Sequence, residues 1–133
     1  MSDAGSRYDA MAAADLSIAC SGTVTTELAM QGAPFLVGYK LGWITWAIAR
    51  SFLYKPDYMA ILNIAAKKEV APEFLQTKLK APAIAETALA LLSNQSALDA
   101  QVEAQNAALE KLGAGETPAA QRAAEAILKD LSI

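Results

Sequence analysis

The chain has 133 residues, a net charge of −3, no histidine and a single cysteine, Cys20. That length suits one domain with a modest core. The missing imidazole excludes Ser-His and Cys-His nucleophile pairs and a histidine pH switch, and one thiol builds neither an intrachain disulfide nor a thiolate zinc site, so no metal is expected.

Hydrophobic residues make up 54% and charged residues 19%, which excludes a disordered chain. Mild acidity argues against nucleic acid as a partner, because phosphate backbones select basic stripes. The N-terminal residues 1–14 carry Arg7 and no sustained apolar core, so they are not read as a secretory signal. The most apolar stretch, residues 33–54, is interrupted by Pro34, Gly38, Lys40, Gly42 and Arg50, and a spanning helix needs about 20 residues without such breaks. A cytoplasmic soluble chain is the expectation.

After a polar lead and a short helix, residues 15–20 form a short apolar run closed by Ser21-Gly22-Thr23, which reads as a buried strand. Cys20, at its end, is expected to be a small core residue. Residues 23–30 suit a helix, with Thr23 able to cap it, and Gln31-Gly32-Ala33-Pro34 stops it. Phe35-Leu36-Val37-Gly38-Tyr39 is a second buried strand. Strand, helix and strand within so few residues make a βαβ unit and a parallel sheet. Residues 43–53 then read as a helix carrying Trp43, Trp46 and Phe52, with Arg50 near its end. It either packs on the sheet or presents aromatic and basic groups to lipid.

Tyr58 to Leu62 is the third strand candidate, followed by a polar loop over residues 63–70 and a short helix over 71–76 with Pro72 in its first turn. Further helices are expected over residues 82–92, where Ala85, Leu89 and Leu92 share a face, and over 96–112 and 117–131, the last two split by Gly113-Ala114-Gly115. The fold class is therefore α/β: a partial Rossmann-like domain of about three parallel strands, followed by C-terminal helices. A division into residues 1–95 and a helical segment 96–133 is expected.

The constellation with most chemistry is Ser21-Gly22-Thr23-Val24-Thr25-Thr26-Glu27. It stands beyond the carboxyl end of a strand and opens a helix, where unpaired N–H groups and the positive dipole end suit a phosphate. Glu27, one turn in, could accept from sugar hydroxyls. The plainer reading is a capped helix with Glu27 answering the dipole. No lysine follows the glycine, so this is not a Walker loop. Asn63 and Gln76 flank the later loop, where amides could read a base or hydroxyls, and Glu73 could answer its own helix start. Lys67-Lys68 reads as a solvated pair.

Ser21-Gly22-Thr23-x-Thr25-x-Glu27-Leu28-Ala29, then Gly32-x-Pro34-x-x-Val37-x-Tyr39, resembles the C-terminal half of bacterial lipid-A-disaccharide synthase. Asn63-Ile64 followed by Val70-x-Pro72-Glu73-x-x-Gln76 strengthens the resemblance, which spans residues 8–131. It departs at Leu62, where a proline is expected, and at Ala65-Ala66-Lys67, where the family has a more glycine-containing turn. The resemblance implies the donor-binding half of a two-Rossmann-domain (GT-B) inverting glycosyltransferase. Such enzymes transfer 2,3-diacylglucosamine from its UDP-linked donor to 2,3-diacylglucosamine 1-phosphate (lipid X) and release UDP. It implies UDP-sugar contacts at Ser21, Gly22, Thr23, Glu27, Asn63 and Gln76, with no metal or cofactor and no catalytic residue of its own. It further implies a peripheral place at the cytoplasmic face of the inner membrane of a Gram-negative bacterium. The family's acceptor domain, with its catalytic carboxylate, has no counterpart here, so a separate N-terminal portion or a homo-oligomer is the expected partner. A non-catalytic nucleotide-binding or interaction module is the alternative.

Overall fold

The architecture grows from one parallel strand pair and the helix that joins it. The computed structural model of the chain describes residues 4–20, 22–40, 42, 58–115 and 119–130. Helix α1 (Ala4–Ala12) leads into β1 (Ser17–Ala19), α2 (Thr23–Met30) and β2 (Phe35–Tyr39). Strands β1 and β2 pair in parallel with Ser17 opposite Phe35 and Ala19 opposite Val37, the expected βαβ unit. Helix α2 ends as its sequence dictates. Gly32 takes φ 70°, and the N–H groups of Gly32 and Ala33 return to the carbonyls of Ala29 and Leu28, each at 3.0 Å. This satisfies two orphan carbonyls where a Cβ would be strained.

The third strand is not where the sequence pattern puts it. Residues 61–66 form helix α3 (Ile61–Ala66), and the third strand is β3 (Glu73–Leu75), within the stretch expected to be a short helix. β3 pairs in parallel with β2, Glu73 opposite Val37 and Leu75 opposite Tyr39, giving the order β1-β2-β3. Pro72, which reads as a helix opener, is instead the lead-in to an edge strand. Its carbonyl accepts from Val37 N–H at 2.9 Å, and it stands just before the first paired residue of β3, where a proline is tolerated. A three-residue strand offers too little alternation to be read from sequence, and tertiary pairing decides it.

Three helices follow the sheet: α4 (Ala81–Leu92), α5 (Gln95–Lys111) and α6 (Ala119–Asp130). All three lie close to the expected spans. Asn94 caps α5, its side chain accepting from Ala97 N–H at 3.2 Å. The face of α4 carrying Leu89 and Leu92 stays exposed.

One core lies on one face of the sheet. Leu28 and Ala29 of α2, Phe35 and Val37 of β2, Leu62 of α3, and Ala108 and Leu109 of α5 pack together there. Phe35 is fully buried, and a side chain of that size contributes about 2–3 kcal/mol by leaving water. Helix α5, in the expected C-terminal helical segment, contributes two residues to this cluster. Gln101 of α5 donates to the Phe35 carbonyl at 2.7 Å, giving a sheet carbonyl a side-chain partner. One turn on, Gln105 is fully buried and neither of its amide atoms has a hydrogen-bond partner. Cys20 is exposed, not a core residue, because it stands beyond the three residues that pair. The expected helix over residues 43–53 lies outside the described residues.

Candidate functional site

The carboxyl end of β1 passes within a few residues into α2, and Gly22 is the hinge of that passage. It holds φ 137° and ψ −161°, a backbone conformation that L side chains rarely adopt. A Cβ built there meets no heavy atom within 4 Å, so the space in front of Gly22 is open. The buried Thr25 hydroxyl donates to the Gly22 carbonyl at 2.7 Å and fixes the turn from behind.

Gly22 also takes the N-cap position expected for Thr23, which is the first residue inside the helix. With no side chain at the cap, the helix start has no side-chain cap bond, and no acidic residue stands in its first turn. Among the described residues, no side chain therefore answers the first N–H groups and positive dipole end of the helix. They face a cleft of about 260 Å³ lined by Gly22, Thr23, Thr26, Met59 and Ile61. The far wall is the start of α3, so the cleft runs between two helix starts at the carboxyl edge of the sheet. That is where open α/β sheets receive ligands.

The far wall is held from below. One carboxylate oxygen of Glu73 accepts from Met59 N–H at 2.9 Å, and the other accepts from Ala60 N–H at 2.8 Å. Glu73 thus answers the start of α3 from β3, not a helix of its own as its sequence context suggests. Asn63 completes the brace. Its amide donates to Glu73 at 2.7 Å and to the Ala71 carbonyl at 2.7 Å, while its oxygen accepts from Val70 and Ala71 N–H at 2.7 and 2.9 Å. Both donors and both lone pairs are used, and the residue is fully buried. Asn63, expected at the edge of a loop, sits in a helix instead, with its amide turned to these internal partners.

Of the other expected site residues, Gly22 and Thr23 line the cleft. Ser21 lies outside the described residues. Glu27 is turned toward α1, with Oε1 at 3.4 Å from both the Arg7 guanidinium and the Tyr8 hydroxyl, and it does not line the cleft. Gln76, at φ 51°, opens a short 3₁₀ turn after β3 and also stands outside the lining. Sequence reasoning had Thr26 in the helix-start constellation without giving it a contact, although it follows Thr23 by one helical turn and shares its face, and it missed Met59 and Ile61. Met59 and Ile61 carried no signal, because only the brace from Glu73 brings them to the cleft.

Among the described residues the lining holds hydroxyls, backbone amides and apolar side chains, and no titratable group. These residues can bind and orient an anion but offer it no proton acceptor. Among the described residues no cluster of His, Cys, Asp and Glu could hold a metal ion, and no helix is long and apolar enough to cross a membrane.

Comparison with known proteins bears on the same residues. A family model described as lipid-A-disaccharide synthetase matches residues 2–127. The chain is 38% identical to the lipid-A-disaccharide synthase of Ruegeria pomeroyi over 92% of its own length and 29% of that protein. It is 37% identical to that of Paramagnetospirillum magneticum, again over 92% of the chain and 32% of the relative. Similarity to the Nitrosococcus oceani enzyme is 41% over 81% of the chain and 28% of the relative. The chain thus spans about a third or less of the length of the relatives it matches.

Proposed function

Given that the chain belongs to the lipid-A-disaccharide synthetase family, we propose that it is the donor-nucleotide-binding part of such a glycosyltransferase. The reaction is transfer of 2,3-diacylglucosamine from its UDP-linked donor to lipid X, with release of UDP. One observation carries the reading: an open, glycine-hinged and uncapped helix start faces a cleft at the carboxyl end of β1. The donor diphosphate lies against the N–H groups at the start of α2, where Gly22 lets it approach the backbone. The hydroxyls of Thr23 and Thr26 donate to its oxygens, and Ser21 stands next to them in sequence. The same helix end stabilises the negative charge that builds on UDP as the glycosidic bond breaks.

Asn63 and Glu73 act indirectly, by fixing Met59 and the start of α3 opposite the diphosphate. Glu27 and Gln76 take a place in donor recognition only if the bound nucleotide extends past the cleft. The described lining offers no proton acceptor for the attacking hydroxyl, and that role falls to the acceptor domain, where the family resemblance puts the catalytic carboxylate. Turnover then requires the remainder of the enzyme, and the chain alone binds without transferring. Both substrates carry acyl chains, so the reaction takes place at a membrane surface, on the cytoplasmic face of the inner membrane.

UDP titration tests the reading. The chain binds UDP, and Thr26→Val, which keeps the shape and removes the hydroxyl, raises Kd by about five- to tenfold, the worth of one hydrogen bond. A chain that folds and does not bind UDP, or a Thr26→Val variant that binds as the parent does, contradicts it.

A further inference from the structure

Three lysines gather at the carboxyl edge of β2 and β3, outside the cleft. Lys40 follows Tyr39, the last residue of β2, which pairs with Leu75 at the end of β3. Beyond Leu75 the chain makes a 3₁₀ turn (Gln76–Lys78) and folds back over β2. Leu79 comes so close to Gly38 that a Cβ there would sit 2.9 Å from its Cδ1. Lys78 and Lys80 flank Leu79, and Lys40 lies two residues from Gly38, so this one contact brings all three to the same end of the sheet.

All three are exposed. None is in an ion pair among the described residues, where the single salt bridge joins Arg7 and Glu27. Glu73 offers them no neutralisation, because it shares the face of Val37 and spends its carboxylate on Met59, Ala60 and Asn63. Lys80 also occupies the N-cap of α4, whose first turn holds no acidic residue. Helix starts favour acids, so a lysine there adds positive charge where the fold gains nothing from it. In a chain of net charge −3, this edge is a local reversal of sign.

We propose that Lys40, Lys78 and Lys80 form the contact of this chain with the phosphate groups of an anionic lipid surface. All three side chains stand out into solvent, which suits an array of headgroups; a single small anion needs donors converging in a depression. It lies along the same sheet edge as the cleft, so docking by these lysines turns the cleft toward the lipid. This deepens the proposed function by naming the surface that meets the membrane, and the UDP measurement separates the two.

The test is co-sedimentation of the 133-residue chain with vesicles of 7:3 phosphatidylcholine and phosphatidylglycerol, and with vesicles of phosphatidylcholine alone. Binding to the anionic vesicles, weak binding to the neutral ones and loss of binding at high salt are expected. The triple variant Lys40→Gln, Lys78→Gln, Lys80→Gln lowers partitioning roughly a hundredfold, about fivefold per lysine near an anionic surface. The double variant Lys67→Gln, Lys68→Gln, altered at the opposite end of α3 from the cleft, stays close to the parent. UDP affinity is unchanged in the triple variant, with the fold checked by circular dichroism. Equal binding to neutral vesicles, absence of vesicle binding, or a triple variant that binds as the parent does overturns the proposal. So does a triple variant that loses UDP and keeps its vesicles, which would assign the lysines to a soluble phosphate. A chain that binds anionic vesicles through these lysines but does not bind UDP overturns the donor-binding reading and leaves this one standing.

Discussion

Asn63 ties α3 to Glu73 of β3 by one hydrogen bond and to Val70 and Ala71, just before that strand, by three more, all of 2.7 to 2.9 Å and inside the protein. Removing it leaves the N–H groups of Val70 and Ala71 without their acceptor, and Val70 and Ala71 are themselves buried. An unpaired buried donor costs its full desolvation penalty, so Asn63→Ala should lower stability by about 2–4 kcal/mol. Urea unfolding measures this directly, and a loss below about 1 kcal/mol would show that the brace contributes little. At this scale the sequence was legible for Gly22 and Thr23, whose turn and helix-start chemistry is local. It was not legible for Asn63, because an amide in a loop and an amide inside a brace look identical in sequence. The difference comes from Glu73, ten residues away, and no local pattern encodes that meeting.

The same asymmetry separates the elements. The βαβ unit was readable because β2 is a continuous apolar run and Gly32 marks the end of α2 with a strict conformational demand. Helices α4 and α5 were readable from Pro82 and from the break at Asn94. Helix α3 and strand β3 were exchanged because each is too short to show its period. Six residues do not sustain a helix unaided, so α3 depends on what anchors it. From the strand, Glu73 holds the two residues that lead into it, and the two elements define one another. Glu73→Ala should therefore loosen α3 specifically. Amide hydrogen exchange at residues 61–66 is expected to accelerate tenfold or more, consistent with about 1.5 kcal/mol or more lost with these charge-assisted hydrogen bonds. Protection in β2, whose pairing with β1 is untouched, should change far less. Uniform acceleration across the chain would contradict an element-level role.

For the whole molecule, the fold places an open helix start and a braced wall on either side of one cleft, and among the described residues no titratable group lines it. A chain that spans about 30% of its relatives and matches the family over residues 2–127 fits a part that binds one substrate. The lack of histidine agrees with this, since anchoring a diphosphate draws on backbone amides and hydroxyls. The measurement that bears most directly on this account is amide chemical-shift mapping of the isotopically labelled chain during a UDP titration. Saturable shifts centred on Gly22, Thr23 and Thr26, with smaller ones at Met59 and Ile61 and none across α6, are the predicted result. Shifts that leave the start of α2 unmoved, or no saturable shifts at all, would contradict it.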